Sequence, residues 1–201
     1  MSRLSDSMAR TYDEVWQRTR SRLDGLTTDE YLWEPAPDAW TLRPDTAGRW
    51  HIDGEGGGGS APDPVPIATI AWRIGHIGLM FTDFGTRLFH GRNITLDDVE
   101  FSGTAAGGLE FLETAYRVHW REPLGTITGE RWWEPSGPAF FGYAGHPVLD
   151  TVLHVLDEFT HHAAELGVLR DLYPHRPPGG SACRPASPRR HRGRGGLSLW
   201  S

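Results

Sequence analysis

Residues 148–172 read VLDTVLHVLDEFTHHAAELGVLRDL and have the most regular helical pattern in the chain. Their apolar residues recur every three or four positions for about six turns, which is the spacing that places them on one face of an α-helix. One long helix is therefore predicted over 148–172. A helix with an apolar face must bury it against other elements, so the rest of the chain should supply helices that pack on this one.

Three more segments share this periodicity. They cover residues 5–23, 67–90 and 105–120, with a short turn or helix at 28–32. Prolines and the glycine run 56–59 interrupt regular structure over 34–66, and a connection of this length is usually functional or disordered. Four amphipathic helices with little strand signal predict an all-α four-helix bundle with a long crossover loop.

The end of the chain has a different composition. Residues 174–201 lose all periodicity and consist mostly of Pro, Gly, Ser and Arg. Such a segment cannot bury enough apolar surface to fold, so a disordered basic tail is predicted. The tail is either a genuine appendage or a translation artefact such as a frameshifted end. The chain is thus divided into one domain over 1–173 and a tail over 174–201.

Charge is distributed unevenly between these two parts. The net charge is −6, and all 20 basic residues are arginines. Six of them lie in the tail, which leaves 14 basic against 26 acidic residues in residues 1–173, a net of −12. An acidic body repels a phosphate backbone, which argues against nucleic-acid binding by the folded domain.

Membrane and secretion signals are missing from the sequence. No stretch approaches the roughly 18 consecutive apolar residues that cross a bilayer, and the N-terminus lacks a basic segment followed by an apolar core. The single cysteine, Cys183, excludes an internal disulfide. We therefore expect a cytoplasmic protein with no membrane contact.

Side chains with metal-binding chemistry lie on the last helix. His154, Glu158 and His162 are four residues apart and stack along one stripe, with Glu165 near it. Glu158 and His162 can converge on one point, and imidazole with carboxylate suits zinc, nickel, iron or manganese. One helical pair supplies only two ligands, so the third must come from elsewhere, and His76 in the second helix is the natural candidate.

Three protein ligands with an open position are typical of a catalytic rather than a structural metal site. The alternative is that Glu158 and His162 form an ordinary helix-surface pair, worth roughly 0.2–0.5 kcal/mol. His161 points about 100° away from His162 on a helix, so it is predicted to lie partly exposed, outside the site.

Three phrases of the sequence resemble the DinB-like superfamily. They are Ala39-Trp40-Thr41-Leu42-Arg43-Pro44, Ile70-Ala71-Trp72-Arg73-Ile74-Gly75-His76-Ile77 and Glu158-x-x-His161-His162-x-x-Glu165-x-x-x-Leu169-Arg170-Asp171-Leu172-Tyr173. More narrowly, they resemble its actinobacterial members near the mycothiol-dependent maleylpyruvate isomerase type. The resemblance covers about residues 5–173 and leaves the tail outside.

This resemblance implies a four-helix bundle that holds one divalent metal, often zinc or nickel, at one end. The family's histidine ligand on the second helix matches His76. Its two ligands on the last helix, four residues apart, match Glu158 and His162. The glutamate departs from the commoner histidine but agrees with the isomerase-type variant.

The resemblance also implies a function, because better-known members use mycothiol, bacillithiol or glutathione. A cation favours the thiolate form of a bound thiol, which is the reactive nucleophile. The implied protein is a metal- and thiol-dependent transferase or isomerase that acts on small electrophiles in detoxification or catabolism. Two alternatives remain: a non-catalytic metal-containing binding or stress-response protein, for which a homodimer stays open, and a hydrolase that activates water with the metal.

Three further residues are candidates for the surroundings of this site. Glu165 and His154 could orient the ligands by hydrogen bonds. Arg73, one turn before His76, either meets an anionic group of the thiol or substrate or lies on the surface.

Overall fold

The apolar faces of the four predicted segments form the inner surface of a helical bundle. The structure, a computed structural model, describes residues 3–55 and 62–177. Within these residues the α-helices are α1 (Arg3–Leu23), α2 (Thr28–Tyr31), α3 (Ile70–His90), α4 (Ala105–Thr114), α5 (Glu122–Leu124) and α6 (Val148–Leu172). The shorter elements are strands β1 (Leu42–Pro44) and β2 (Trp50–Ile52), a π-helical segment over Ala115–Arg121, and 3₁₀ turns at Leu96–Asp98, Gly129–Trp132, Pro138–Tyr143 and Tyr173–His175. The predicted all-α architecture is confirmed.

Helix α3 occupies a central place in the bundle. It packs against α4, the π-helical segment and α6, while α1 covers another side of α6. Phe81 on α3 and Phe159 on α6 are fully buried, and their ring centroids are 5.0 Å apart in an edge-to-face contact. Burial of an aromatic ring contributes about 1.5–3 kcal/mol. This contact therefore fixes α3 against α6, the two helices that carry the predicted ligands.

The beginning of α3 differs from the predicted boundary at residue 67. The Thr69 side chain accepts a hydrogen bond from the Trp72 backbone N–H at 3.1 Å and caps the helix, so the helix begins at Ile70. The residues before the cap are extended because they pair with Trp40, whose N–H donates to the Ile67 carbonyl at 3.0 Å. The crossover is thereby attached to the start of α3.

The third predicted helix, 105–120, changes its winding after Thr114. Its second half, Ala115–Arg121, is π-helical, and this form is frequent at functional sites. Here α3 comes so close that a Cβ atom placed on Gly85 would lie 2.0 Å from the His119 carbonyl oxygen. Only glycine permits this approach of two backbones.

The crossover contains a short hairpin that was predicted only as part of a long loop. Strands β1 and β2 are antiparallel, and Leu42 pairs with Ile52. The hairpin packs on α3 at Gly75, where an added Cβ atom would lie 3.2 Å from Ile52 Cδ1 and 3.5 Å from Leu42 Cδ2. The residue after Gly75 is His76, so the hairpin lies beside a predicted ligand.

The last helix, α6, has the bounds that the sequence predicts, and the turn Tyr173–His175 follows it. Residues 174–177 of the predicted tail 174–201 are described, and two of them belong to this turn. The rest of the tail, from residue 178 onward and including Cys183, lies outside the described residues, as do residues 56–61 with the glycine run. None of the helices within 3–55 and 62–177 combines the length and the apolar character needed to span a membrane.

Candidate metal centre

Helices α3 and α6 bring the three predicted ligands together. One ligand atom from each of His76, Glu158 and His162 lies within 4.8 Å of the others. Ligand atoms about 2.0–2.2 Å from a tetrahedral zinc ion are themselves roughly 3.3–3.6 Å apart. Oε2 of Glu158 and Nε2 of His162 are already 3.2 Å apart, so the cluster has the dimensions of a metal site.

Both nitrogens of the His162 ring have close neighbours. Its Nδ1 lies 2.7 Å from Oε2 of Glu165 and 3.1 Å from Nη1 of Arg73. Because a carboxylate only accepts and a guanidinium only donates, Nδ1 can bond to just one of them. The shorter contact favours Nδ1–H donating to Glu165. Nε2 is then the unprotonated nitrogen, and it faces Glu158.

The surroundings of His162 and Glu165 favour a neutral imidazole and an ionised carboxylate. Burial lowers the pKa of His162, and the nearby His76 and Arg73 lower it further against the opposing effect of Glu165. Burial alone would raise the pKa of Glu165, but the hydrogen bond with His162 and the charge of Arg73 outweigh it and hold that pKa below its ordinary value. At neutral pH the neutral imidazole of His162 therefore lies beside the ionised carboxylate of Glu165.

His76 has three neighbours that fix its ring. The ring stacks on Trp72 with centroids 4.8 Å apart and planes 9° apart, and it meets the His162 ring edge-on at 4.5 Å. Its Nδ1 lies 2.6 Å from Oε1 of Glu55. Sequence reasoning missed Glu55, because this residue lies in the crossover just before the glycine run, where no periodicity indicates which way a side chain faces.

Arg73 is mostly buried rather than on the surface, with 17% of its side chain exposed. Its Nη2 lies 2.9 Å from Oε1 of Glu165, and its guanidinium carbon is 4.9 Å from the centre of the Trp72 ring. These contacts make it a partner of Glu165. Its predicted contact with a thiol or substrate stays a prediction.

Two further histidines of α6, His154 predicted as a neighbour of the site and His161 predicted to lie outside it, differ in their surroundings. The His154 ring packs against Phe84, with centroids 5.6 Å apart, and burial lowers its pKa; its role in orienting a ligand stays a prediction. His161 has 64% of its side chain exposed, yet its Nε2 comes within 3.7 Å of Glu165 Oε1. The two residues are four positions apart on α6, the spacing at which helical side chains are neighbours.

His161, His162 and Glu165 form a second group whose ligand atoms lie within 4.8 Å of one another. The positive guanidinium of Arg73 already contacts both His162 and Glu165 there. A second cation would have to overcome that charge, so the group around His76 fits a metal ion better.

Two surface concavities lie away from this cluster. One of about 310 Å³ is lined by residues that include Thr82, Phe111 and His119, and one of about 230 Å³ is lined by residues that include Asp13 and Arg121. Within the described residues, neither has a group of converging ligand atoms like that at His76. The chemistry is therefore assigned to the α3–α6 cluster.

The chain belongs to the DinB superfamily, whose sequence profile matches residues 11–166. The matched span contains all three residues of the cluster. This superfamily is typically metal-binding and includes metal-dependent enzymes. Comparisons with curated proteins and with solved structures gave no significant match. The donor set of two imidazoles and one carboxylate fits a divalent ion such as zinc or nickel.

Proposed function

We propose that this protein is a divalent-metal-dependent enzyme that uses a low-molecular-weight thiol as a transferase or isomerase of small electrophiles. One observation carries the proposal: ligand atoms of His76, Glu158 and His162 converge within 4.8 Å. Three protein ligands are the number typical of catalytic zinc sites, which keep a coordination position for water or substrate.

The residues around the cluster would prepare it for this task. Glu165 accepts a hydrogen bond from His162 Nδ1–H and so keeps Nε2 available, and Arg73 holds Glu165 in place. A bound zinc or nickel ion would supply Lewis-acid chemistry, because a cation favours the thiolate form of a thiol that reaches it. The sequence has one cysteine, Cys183 in the predicted tail, so the proposed nucleophile comes from a cosubstrate.

Mycothiol is the proposed thiol, on the strength of the resemblance to actinobacterial isomerase-type members. The presence of Glu158 where histidine is commoner supports that narrower likeness. As part of the same proposal the protein acts in the cytoplasm, where small thiols are kept reduced. An anionic group of the thiol or electrophile would meet Arg73, the cationic side chain that lies beside the cluster.

The test is an assay of the full chain loaded with Zn²⁺ or Ni²⁺ against the chelated protein, with mycothiol and a panel of small electrophiles that includes maleylpyruvate. We expect turnover that needs both the metal and the thiol and that His162→Ala abolishes. Replacement of the exposed His90 on α3 by alanine is the matched control and should leave turnover unchanged.

Two other results would each contradict the proposal. Turnover with metal but without thiol would identify a hydrolase that activates water. Bound metal without turnover across the whole panel would identify a non-catalytic metal-binding protein.

A further inference from the structure

We infer that Glu55 is a positioning residue of the metal centre, which holds the His76 ring so that Nε2 faces the cation. The inference deepens the proposed function and rests on its metal site. It assigns a role to the crossover hairpin, which otherwise only covers α3.

The contact between the two side chains is close and shielded. Oε1 of Glu55 lies 2.6 Å from Nδ1 of His76, and the side chains are 10% and 12% exposed. Since a carboxylate only accepts, Nδ1 must carry the proton of this hydrogen bond. Nε2 of a neutral His76 ring is then the unprotonated nitrogen and the one that can bind a metal.

Stacking on Trp72 cannot provide this orientation by itself. The parallel contact, with planes 9° apart, restrains the plane of the His76 ring. A 180° flip of the ring would keep the same plane and exchange a nitrogen for a carbon at each position. Only a polar partner distinguishes the two orientations, and Glu55 is placed to do so at Nδ1.

The same arrangement occurs on the other histidine of the cluster. His162 has Glu165 at its Nδ1 at 2.7 Å, as His76 has Glu55 at 2.6 Å. Histidines that bind metals usually donate their second N–H to a carboxylate or carbonyl group, and this partner strengthens metal binding. One carboxylate comes from α6 itself, whereas the other must be brought by the crossover.

The fold anchors the chain immediately before Glu55. The Asp53 carbonyl accepts a hydrogen bond from Trp72 Nε1 at 2.7 Å. The Asp53 carboxylate accepts from the Thr41 N–H and from Arg43 Nε, both at 3.1 Å. The end of the hairpin is thus tied to the same α3 turn on which the His76 ring stacks.

A turn at Gly54 then directs Glu55 to His76. Gly54 has a φ of +76°, and a Cβ atom there would lie 2.7 Å from the Trp40 ring. A side chain would be strained by the backbone and would clash with the indole. Gly54→Ala should therefore move the Glu55 carboxylate away from His76 while the Glu55 side chain itself is not mutated.

The first test measures the tautomer of His76 in the full-length, metal-free protein by nitrogen NMR of labelled histidine. In the wild type we expect His76 to carry its proton on Nδ1. Glu55→Ala should convert this signal to a mixture of tautomers, and Glu55→Asp should restore part of the preference. A wild-type ring protonated on Nε2, or an unchanged tautomer in Glu55→Ala, would overturn the inference.

The second test measures Zn²⁺ affinity by competition with a chromophoric chelator, in the absence of any thiol. Glu55→Ala and Gly54→Ala should each raise the Kd about 10- to 100-fold. Gly48→Ala is the matched control: Gly48 has a φ of +82° in the same hairpin but has no atom within 4 Å of an added Cβ, and its Kd should stay as in the wild type.

A double variant separates the positioning role from general damage. In a His76→Ala background, Glu55→Ala should cause no further loss of the weaker Zn²⁺ affinity that Glu158 and His162 still provide. An equal loss in both backgrounds, or an unchanged Kd in Glu55→Ala, would overturn the inference while leaving the proposed function standing. A wild-type protein with no affinity for either Zn²⁺ or Ni²⁺ would overturn both.

Discussion

Nδ1 of His162 lies 2.7 Å from Oε2 of Glu165, the residue three positions further along α6. Glu158, four positions earlier, lies 3.2 Å from Nε2 of the same ring. Two carboxylates of the same helix therefore face the two ring nitrogens of His162, because residues three and four apart share a face. Helix α6 thus supplies two of the three ligands together with Glu165, while α3 contributes His76 and Arg73.

Loss of the Glu165 charge should weaken metal binding without unfolding the bundle. Glu165→Gln removes the ionised acceptor for His162 Nδ1–H and the ion pair with Arg73 at 2.9 Å. We expect the Kd for Zn²⁺ to rise about tenfold, the effect typical of losing a partner of a metal ligand. Chelator competition measures it. Asp157→Asn makes the same charge change on an exposed position of α6 and should have no effect; equal effects of the two variants would contradict the assignment.

Removal of a ligand itself should have a larger effect. His76→Ala and His162→Ala should each lose bound metal by elemental analysis, while circular dichroism keeps most of the helical signal, since the core around Phe81 and Phe159 stays intact. His90→Ala, on an exposed position of α3, should keep its metal. Stoichiometric metal in both ligand variants would show that the cluster is not the metal site.

The sequence predicts the long helices and the α6 part of the site well, because both depend on local spacing. Periodicity over 148–172 gives α6, and a separation of four residues gives the approach of Glu158 to His162 without any knowledge of the fold. His76 follows less directly, since its meeting with α6 depends on how two helices pack.

Two other features set by tertiary contact, the hairpin in the crossover and the π-helical segment, were not predicted. Each strand of the hairpin has three residues, which is too short to show alternation, so nothing in the sequence indicated the hairpin that brings Glu55 to His76. The π-helical segment has the same apolar spacing as an α-helix over its few residues. It coincides with the backbone approach at Gly85, a contact between distant parts of the chain that a local pattern cannot show.

The stability of the metal-free protein should fall in mild acid. Burial lowers the pKa of His119 from its ordinary value of 6.5, and His90 and Arg92 lower it further. Below about pH 6.5 the unfolded chain binds more protons at this residue than the folded protein, so the free energy of unfolding decreases as the pH falls. His154 and His162 shift in the same direction, with burial as the first cause.

Urea unfolding of the metal-free protein at pH 7.5 and at pH 5.5 measures this dependence. His119→Gln should reduce the difference between the two free energies, and wild type measured in parallel gives the reference. If His119→Gln shows the same difference in unfolding free energy between the two pH values as the wild type, His119 does not contribute to the pH dependence.

The close approach of α3 to the π-helical segment gives the last prediction. Gly85→Ala places a methyl group 2.0 Å from the His119 carbonyl oxygen, and a backbone atom in a packed core cannot move aside as a flexible side chain can. Overpacking typically costs about 1–3 kcal/mol of unfolding free energy, and we expect the upper end of this range where the contact is with backbone. Gly142→Ala, where an added Cβ has no neighbour within 4 Å, should change stability by less than about 0.5 kcal/mol.

Because α3 carries His76, urea unfolding of Gly85→Ala should be measured together with Zn²⁺ affinity. A stable variant with unchanged affinity would mean that the two backbones are not in contact in solution.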